Sequence, residues 1–145
     1  MVLYIAHRVN SSSDVYSQPM GHGFECDIRD GLIVTHDPYG SGESFNDYAP
    51  SLTGRPLVIL NIKCEGIEKD VINKVPCPYF LLDCSFPMIY KLSNEGNKNI
   101  AIRFSEYERM DTIRTLAGKV EWVWVDLFHG IHITPDEFRE MKKLG

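Results

Sequence analysis

Cysteines are few in this chain and none sit close enough in sequence to act as a pair: Cys26, Cys64, Cys77 and Cys84 lack the spacings of a zinc site or a short disulfide framework. Reduced thiols in a cytoplasmic setting are the expectation. An excess of positive charge is also missing. The net charge of −5 offers no broad basic face, which argues against nucleic acid as a partner, because phosphate-backbone binders carry one. Long apolar runs are lacking as well. Residues 2–6 are too short for a leader core or a membrane span and follow no basic stretch, so they read as a first strand and no transmembrane segment is expected. There are no repeats, low-complexity tracts or domain linker. With 43% hydrophobic and 24% charged residues over 145 positions, a single domain spanning 1–145 is the expectation.

What the chain does contain is a series of apolar runs of strand length, at 2–6, 24–28, 57–62, 79–84, 100–103 and 120–127. Their near-continuous apolar character suits strands buried on both faces. Helical patterns lie between them, with Ile67, Val71 and Ile72 after the third run and Ile113 with Leu116 after the fifth. Alternation of this kind predicts a mainly parallel sheet. Asp30-Gly31 marks a turn, so residues 32–35 are expected to fold back beside the second strand and bring His36 near its carboxylates. Residues 37–53, rich in Gly, Ser, Asp, Asn and Pro, read as a long loop. Thr134-Pro135-Asp136-Glu137 forms a capping box with proline at the first helical position, which predicts a helix through Leu144.

Strand parity turns these runs into chemistry. Residues two apart on a strand project from one face, roughly 6.5 to 7 Å apart, so Glu25 and Asp27 share a face while Phe24, Cys26 and Ile28 share the other. Two such carboxylates can close on a hard cation, Mg²⁺ or Ca²⁺, which neutralises phosphoryl oxygens or activates an attacking hydroxyl. The competing reading is a solvent-facing acidic pair on an edge strand. Parity also pairs Asn61 with Lys63 and Asp83 with Ser85, while Arg103 ends the fifth strand and Asp126 lies near the end of the sixth. Polar groups thus gather at strand C-termini, where parallel α/β folds bind ligands. His7 and His36 each close an apolar run on the carboxylate side and form a candidate acid/base pair. Arg8, by a bidentate fork, and Lys63, as a point charge, are candidate phosphate clamps, or else partners of Glu25 and Asp27 in an ion-pair network. Trp122 and Trp124 are expected to fill core. Cys26 projects away from the carboxylates and is no candidate nucleophile.

In their order along the chain, His7-Arg8, Glu25-Cys26-Asp27, Asp30-Gly31 and His36-Asp37 resemble the glycerophosphodiester phosphodiesterase family, part of the phosphatidylinositol phospholipase C-like group of barrel phosphodiesterases. The resemblance covers the first 65 or so residues, with a weaker trace at Ser85-Phe86. It implies that Glu25 and Asp27 bind a divalent metal, that His7 and His36 are the acid/base pair and that Arg8 contacts phosphate. The family places E-x-K on the next strand; here Asn61-Ile62-Lys63 stands there, so Asn61 would ligate through its uncharged carbonyl oxygen, with Glu65 or Asp83 able to compensate. His7-Arg8-Val9-Asn10 is also similar to the H-x-V-N opening of the sphingomyelinase D-like phospholipases, whose product can be a cyclic phosphate.

The implied fold is a TIM-type (β/α) barrel, shortened or incomplete, because the family's barrel has eight strands and roughly 250 residues and this chain offers six principal strands. It is a naturally short open barrel, one completed by a partner, or part of a longer chain. An open sheet exposes an edge that must be paired or covered, so a homodimer is expected. The implied activity is metal-dependent cleavage of a small or lipid-derived phosphodiester by water or a substrate hydroxyl. The rival expectations are a non-catalytic phosphate-binding module with a degenerate site, and a structural protein whose charges pair only with each other.

Overall fold

A computed structural model describes residues 2–130 and 133–144. The chain divides into two compact units, Met1–Ser85 and Phe86–Gly145. In the first, a six-stranded sheet is built on β2 (Gly23–Arg29), whose residues are buried except for half-buried Arg29. On one side β2 pairs in parallel with β5 (Val58–Ile62), and β5 with β6 (Tyr79–Leu82). On its other side β2 meets two short strands in succession. β1 (Ile5–Ala6) runs parallel to its beginning, and β3 (Ile33–Val34) runs antiparallel to its end, followed by β4 (Glu43–Ser44). Gly23 starts β2 because the backbones crowd there: a Cβ would stand 2.6 Å from Ile5 Cδ1 and 2.8 Å from the Leu57 carbonyl.

The fold-back at Asp30-Gly31 occurs as the turn signal predicts. Asp30 Oδ1 accepts the Gly31 N–H at 2.9 Å and Gly31 takes a left-handed φ of 72°. The barrel does not. Among the described residues the first sheet is mixed, β7 (Ala101–Phe104) and β8 (Trp122–Val125) form a separate two-stranded parallel sheet, and no barrel closes. The physical reason lies partly in β3: by returning antiparallel it takes up the edge of β2 that a longer β1 would need for an all-parallel ladder.

Residues 37–53 are likewise more ordered than a loop. After β4 come α2 (Phe45–Tyr48) and a 3₁₀ turn over Ala49–Leu52. Ser44 caps α2 by accepting the Asp47 N–H at 3.2 Å, and Phe45, Tyr48, Ala49 and Leu52, at helical spacing, are all buried. Complete burial of Phe45 or Leu52 is worth about 1.5 to 3 kcal/mol each, which outweighs the weak propensity of this polar stretch. Ahead of β2, α1 (Ser12–Ser17) is capped at Ser11. Its far end is held by buried Arg55, which donates to the carbonyls of Val15, Gln18 and Pro19 at 2.7, 3.2 and 3.0 Å and lies over the Phe24 ring. α3 (Glu68–Ile72) follows β5.

In the second unit, α4 (Phe86–Asn94) leads to β7, α5 (Met110–Thr115) to β8, and α6 (Pro135–Leu144) closes the described chain. The capping box forms as expected: Thr134 Oγ1 accepts the Glu137 N–H at 3.2 Å while Glu137 Oε2 accepts the Thr134 N–H at 2.9 Å. β8 departs from expectation. Its four residues are exposed or half-buried and Trp122 is 37% exposed, so neither tryptophan is the core filler its spacing suggested. In a two-stranded sheet β8 has one strand neighbour, which leaves it less cover than a central strand. No helix among the described residues is long and apolar enough to cross a membrane.

Candidate functional site

Parity on β2 holds through its whole length, so Glu25 and Asp27 project together, and the register sets Asp27 directly beside Asn61 of β5. All three are almost completely buried. Glu25 Oε2 accepts the Arg8 backbone N–H at 2.8 Å and lies 3.5 Å from His7 Nε2, while Oε1 accepts Asn61 Nδ2 at 2.8 Å. Asp27 Oδ2 accepts Asn10 Nδ2 at 2.9 Å. Its other oxygen, Oδ1, has no hydrogen bond, although the Lys63 ammonium is 3.3 Å away and 3.4 Å from Asp83 Oδ2. The first contact is an ion pair by distance without hydrogen-bond geometry.

Asn61 Oδ1 is also buried without a donor. Two oxygens at register-matched positions, Asp27 Oδ1 and Asn61 Oδ1, therefore lack a hydrogen bond, and of the two Asp27 Oδ1 has the Lys63 ammonium beside it. A buried acceptor without a hydrogen bond costs about 1 to 3 kcal/mol, and a native structure retains one where strain, a bound water or ion, or a catalytic role accounts for it. Among the described residues no three His, Cys, Asp or Glu side chains gather closely enough to hold a metal by themselves. The donor set here is two carboxylates and an amide oxygen, which suits a hard cation that keeps other oxygens, from water or phosphate, in its shell.

Two non-glycine residues with left-handed backbone flank this cluster, Arg8 at φ 56° and Asp83 at φ 59°. Such conformations cost about 1 kcal/mol or more and concentrate at functional sites. Arg8 adopts its turn just past β1, where its N–H meets Glu25, and its guanidinium is on an exposed residue. Asp83 turns away just past β6, and there it meets Lys63.

His36 follows β3, as the fold-back predicts. Its Nδ1 pairs with Asp37 Oδ1 at 2.9 Å, and its carbonyl accepts from Arg29 Nε and Nη2 at 2.9 and 2.7 Å. The imidazole bond, and then the charges of His36, Arg29 and Arg8, hold the exposed Asp37 carboxyl below its ordinary value of 3.8. His36 and Asp37 line an open groove of about 590 Å³ that Asn10, Thr35, Ser41 and Glu43 also border. Asn10 thus touches both the groove and Asp27.

Ser85 is bonded to Glu65. Arg103 and Asp126 belong to the second unit, where they pair at 2.8 Å. Burial pushes the Cys26 thiol far up and the Cys84 thiol to about 12, which keeps both as poor nucleophiles near neutral pH. Sequence reasoning gave no role to Asn10; the signal was its place two residues beyond the His7-Arg8 turn, alongside β2. No family model, curated protein or solved structure matches this chain.

Proposed function

We propose that the chain is a divalent-cation-dependent phosphodiesterase acting on a small or lipid-derived phosphodiester of the glycerophosphodiester kind. The observation that carries this reading is the pair of buried oxygens without hydrogen bonds, Asp27 Oδ1 and Asn61 Oδ1, with Asn61 bonded to Glu25, whose Oε2 lies 3.5 Å from His7 Nε2. Glu25, Asp27 and Asn61 would hold Mg²⁺ or Ca²⁺, which when bound neutralises charge on phosphoryl oxygens. Lys63 can meet a non-bridging oxygen as a point charge and Arg8 as a fork, since its side chain is exposed. His7, with Nε2 toward Glu25, accepts the proton of the attacking hydroxyl. His36 donates to the leaving alkoxide. Its Nδ1 is engaged by Asp37, which leaves Nε2 for the substrate and orients the ring. The ordered resemblance of His7-Arg8, Glu25-x-Asp27 and His36-Asp37 to the glycerophosphodiester phosphodiesterase family supports the same assignment.

One observation favours a second reading, a phosphate-binding module without turnover: the Asn61 amide and the Lys63 ammonium already sit against the two carboxylates. Hydrolysis of bis(p-nitrophenyl) phosphate and glycerophosphocholine with Mg²⁺, Ca²⁺ or Mn²⁺ separates the two. The enzyme reading predicts cation-dependent turnover that is lost in His7→Ala and Glu25→Ala. Binding of phosphate without turnover under any cation supports the module instead. A homodimer completes the proposal, because among the described residues β4 and β6 end the first sheet and β7 and β8 have one strand neighbour each; a cytoplasmic setting is proposed with it.

A further inference from the structure

We infer that Asn10 is the positioning residue for Asp27, an inference that rests on the cation site proposed above. The edge of β2 has a gap between its two short neighbours. β1 pairs with Gly23 and Phe24, and β3 with Ile28 and Arg29, so among the described residues the backbone from Glu25 to Asp27 has no strand on that side. The gap is closed by other means. Val9 N–H donates to the Glu25 carbonyl at 2.9 Å, Thr35 N–H to the Asp27 carbonyl at 3.0 Å, and the Asp27 N–H itself donates to Asn10 Oδ1 at 2.8 Å. The Asn10 side chain thus takes the place of a strand carbonyl.

The same amide donates from Nδ2 to Asp27 Oδ2 at 2.9 Å. One planar group therefore grips both the backbone and the carboxylate of a single residue. The two contacts also fix the amide's orientation, since a flipped group would set oxygen against oxygen and nitrogen against N–H. With Oδ2 held, Asp27 Oδ1 is the buried oxygen without a hydrogen bond, and it faces the Lys63 ammonium at 3.3 Å. Asn10 thereby chooses which carboxylate oxygen faces the cation and stops the carboxylate from rotating. Val9 steadies the clamp from behind, as its carbonyl accepts the buried Tyr48 hydroxyl at 2.6 Å.

Groups that hydrogen-bond metal ligands typically contribute 10- to 100-fold to metal affinity. The test is Mn²⁺ binding, measured by water-proton relaxation, to wild type, Asn10→Leu and Asn10→Ser, with amide hydrogen exchange at Asp27 as a second readout. Asn10→Leu keeps the volume and removes both bonds; it is expected to weaken Mn²⁺ binding about 10- to 100-fold and to speed exchange at the Asp27 amide. Asn10→Ser is expected to fall between, and it carries the test if the leucine variant does not fold. Binding within twofold of wild type in the folded variant overturns the positioning role and leaves the cation site standing. No Mn²⁺ binding by wild type overturns the cation site and the positioning role with it.

Discussion

Replacing Asn61 by glutamate puts back the charge that the resemblance leads one to expect on this strand, and the structure gives the consequence a size. Asn61 Nδ2 donates to Glu25 Oε1 at 2.8 Å. A second carboxylate at that distance would repel the first by about 6 kcal/mol at an effective dielectric of about 20. The protein has a cheaper course, which is to bind a proton. Protonating the introduced carboxyl at pH 7, from an ordinary value of about 4.3, costs about 3.7 kcal/mol, and the protonated group can replace the amide as donor. Asn61→Glu should therefore destabilise the cation-free protein by about 3 to 4 kcal/mol at pH 7, a large part of the 5 to 15 kcal/mol typical of a domain. The introduced carboxyl has a higher value folded than unfolded, so the deficit grows with pH through neutrality and shrinks by about 1.4 kcal/mol per unit as pH falls from 7 toward 4.3. Mg²⁺ at 100 times its dissociation constant should return about 2.7 kcal/mol, and more to the variant than to wild type. Urea denaturation at pH 5, 6 and 7, with and without Mg²⁺, reads all three effects. A variant within about 1 kcal/mol of wild type at pH 7, with a difference that ignores pH, refutes the placement of Asn61 against Glu25.

Two further outcomes follow from the surroundings of the site. Tyr48→Phe removes the hydroxyl that donates to the buried Val9 carbonyl, so stability should fall by about 1 to 3 kcal/mol; an unchanged urea midpoint would contradict that bond. The Asp37 carboxyl should titrate below 3.8 by ¹³C NMR and move up toward it in His36→Ala. The stabilisation from the His36–Asp37 pair is then present above the ordinary carboxylate value and lost as pH falls through the lowered one; a midpoint that does not move with His36→Ala excludes the pairing.

Local order was legible in the sequence and long-range pairing was not. Parity alone set Glu25 and Asp27 on one face, the Asp30-Gly31 turn gave the return of β3, and Thr134 with Glu137 marked the last helix. These depend on neighbours a few residues away, which the sequence displays directly. The barrel that the resemblance implied does not form, and the apolar runs could not have corrected it, because they show that strands are buried without showing which strand lies beside which. The ordered helix within 37–53 went unread although Phe45, Tyr48, Ala49 and Leu52 repeat at helical spacing; the polar residues between them concealed the stripe. At the candidate site, residue types and strand ends singled out Glu25, Asp27, Asn61 and Lys63, which the structure brings together. The Lys63–Asp27 ion pair was one of the alternatives read from the sequence, whereas Asn10 against Asp27 and Asp83 against Lys63 were out of reach because they meet only through tertiary placement. Arg103 and Asp126 satisfied the same strand-end rule and proved to be partners of one another in the second unit.

We propose that the buried carboxylates and His7 serve a cation-dependent reaction on a phosphodiester. The most direct measurement is initial-rate hydrolysis of bis(p-nitrophenyl) phosphate by purified wild type and Glu25→Ala protein, with Mg²⁺, Ca²⁺ or Mn²⁺ and after chelation. The account predicts turnover by wild type that requires a divalent cation and vanishes in Glu25→Ala. No turnover by wild type under any of the three cations, or equal turnover after chelation, would contradict it.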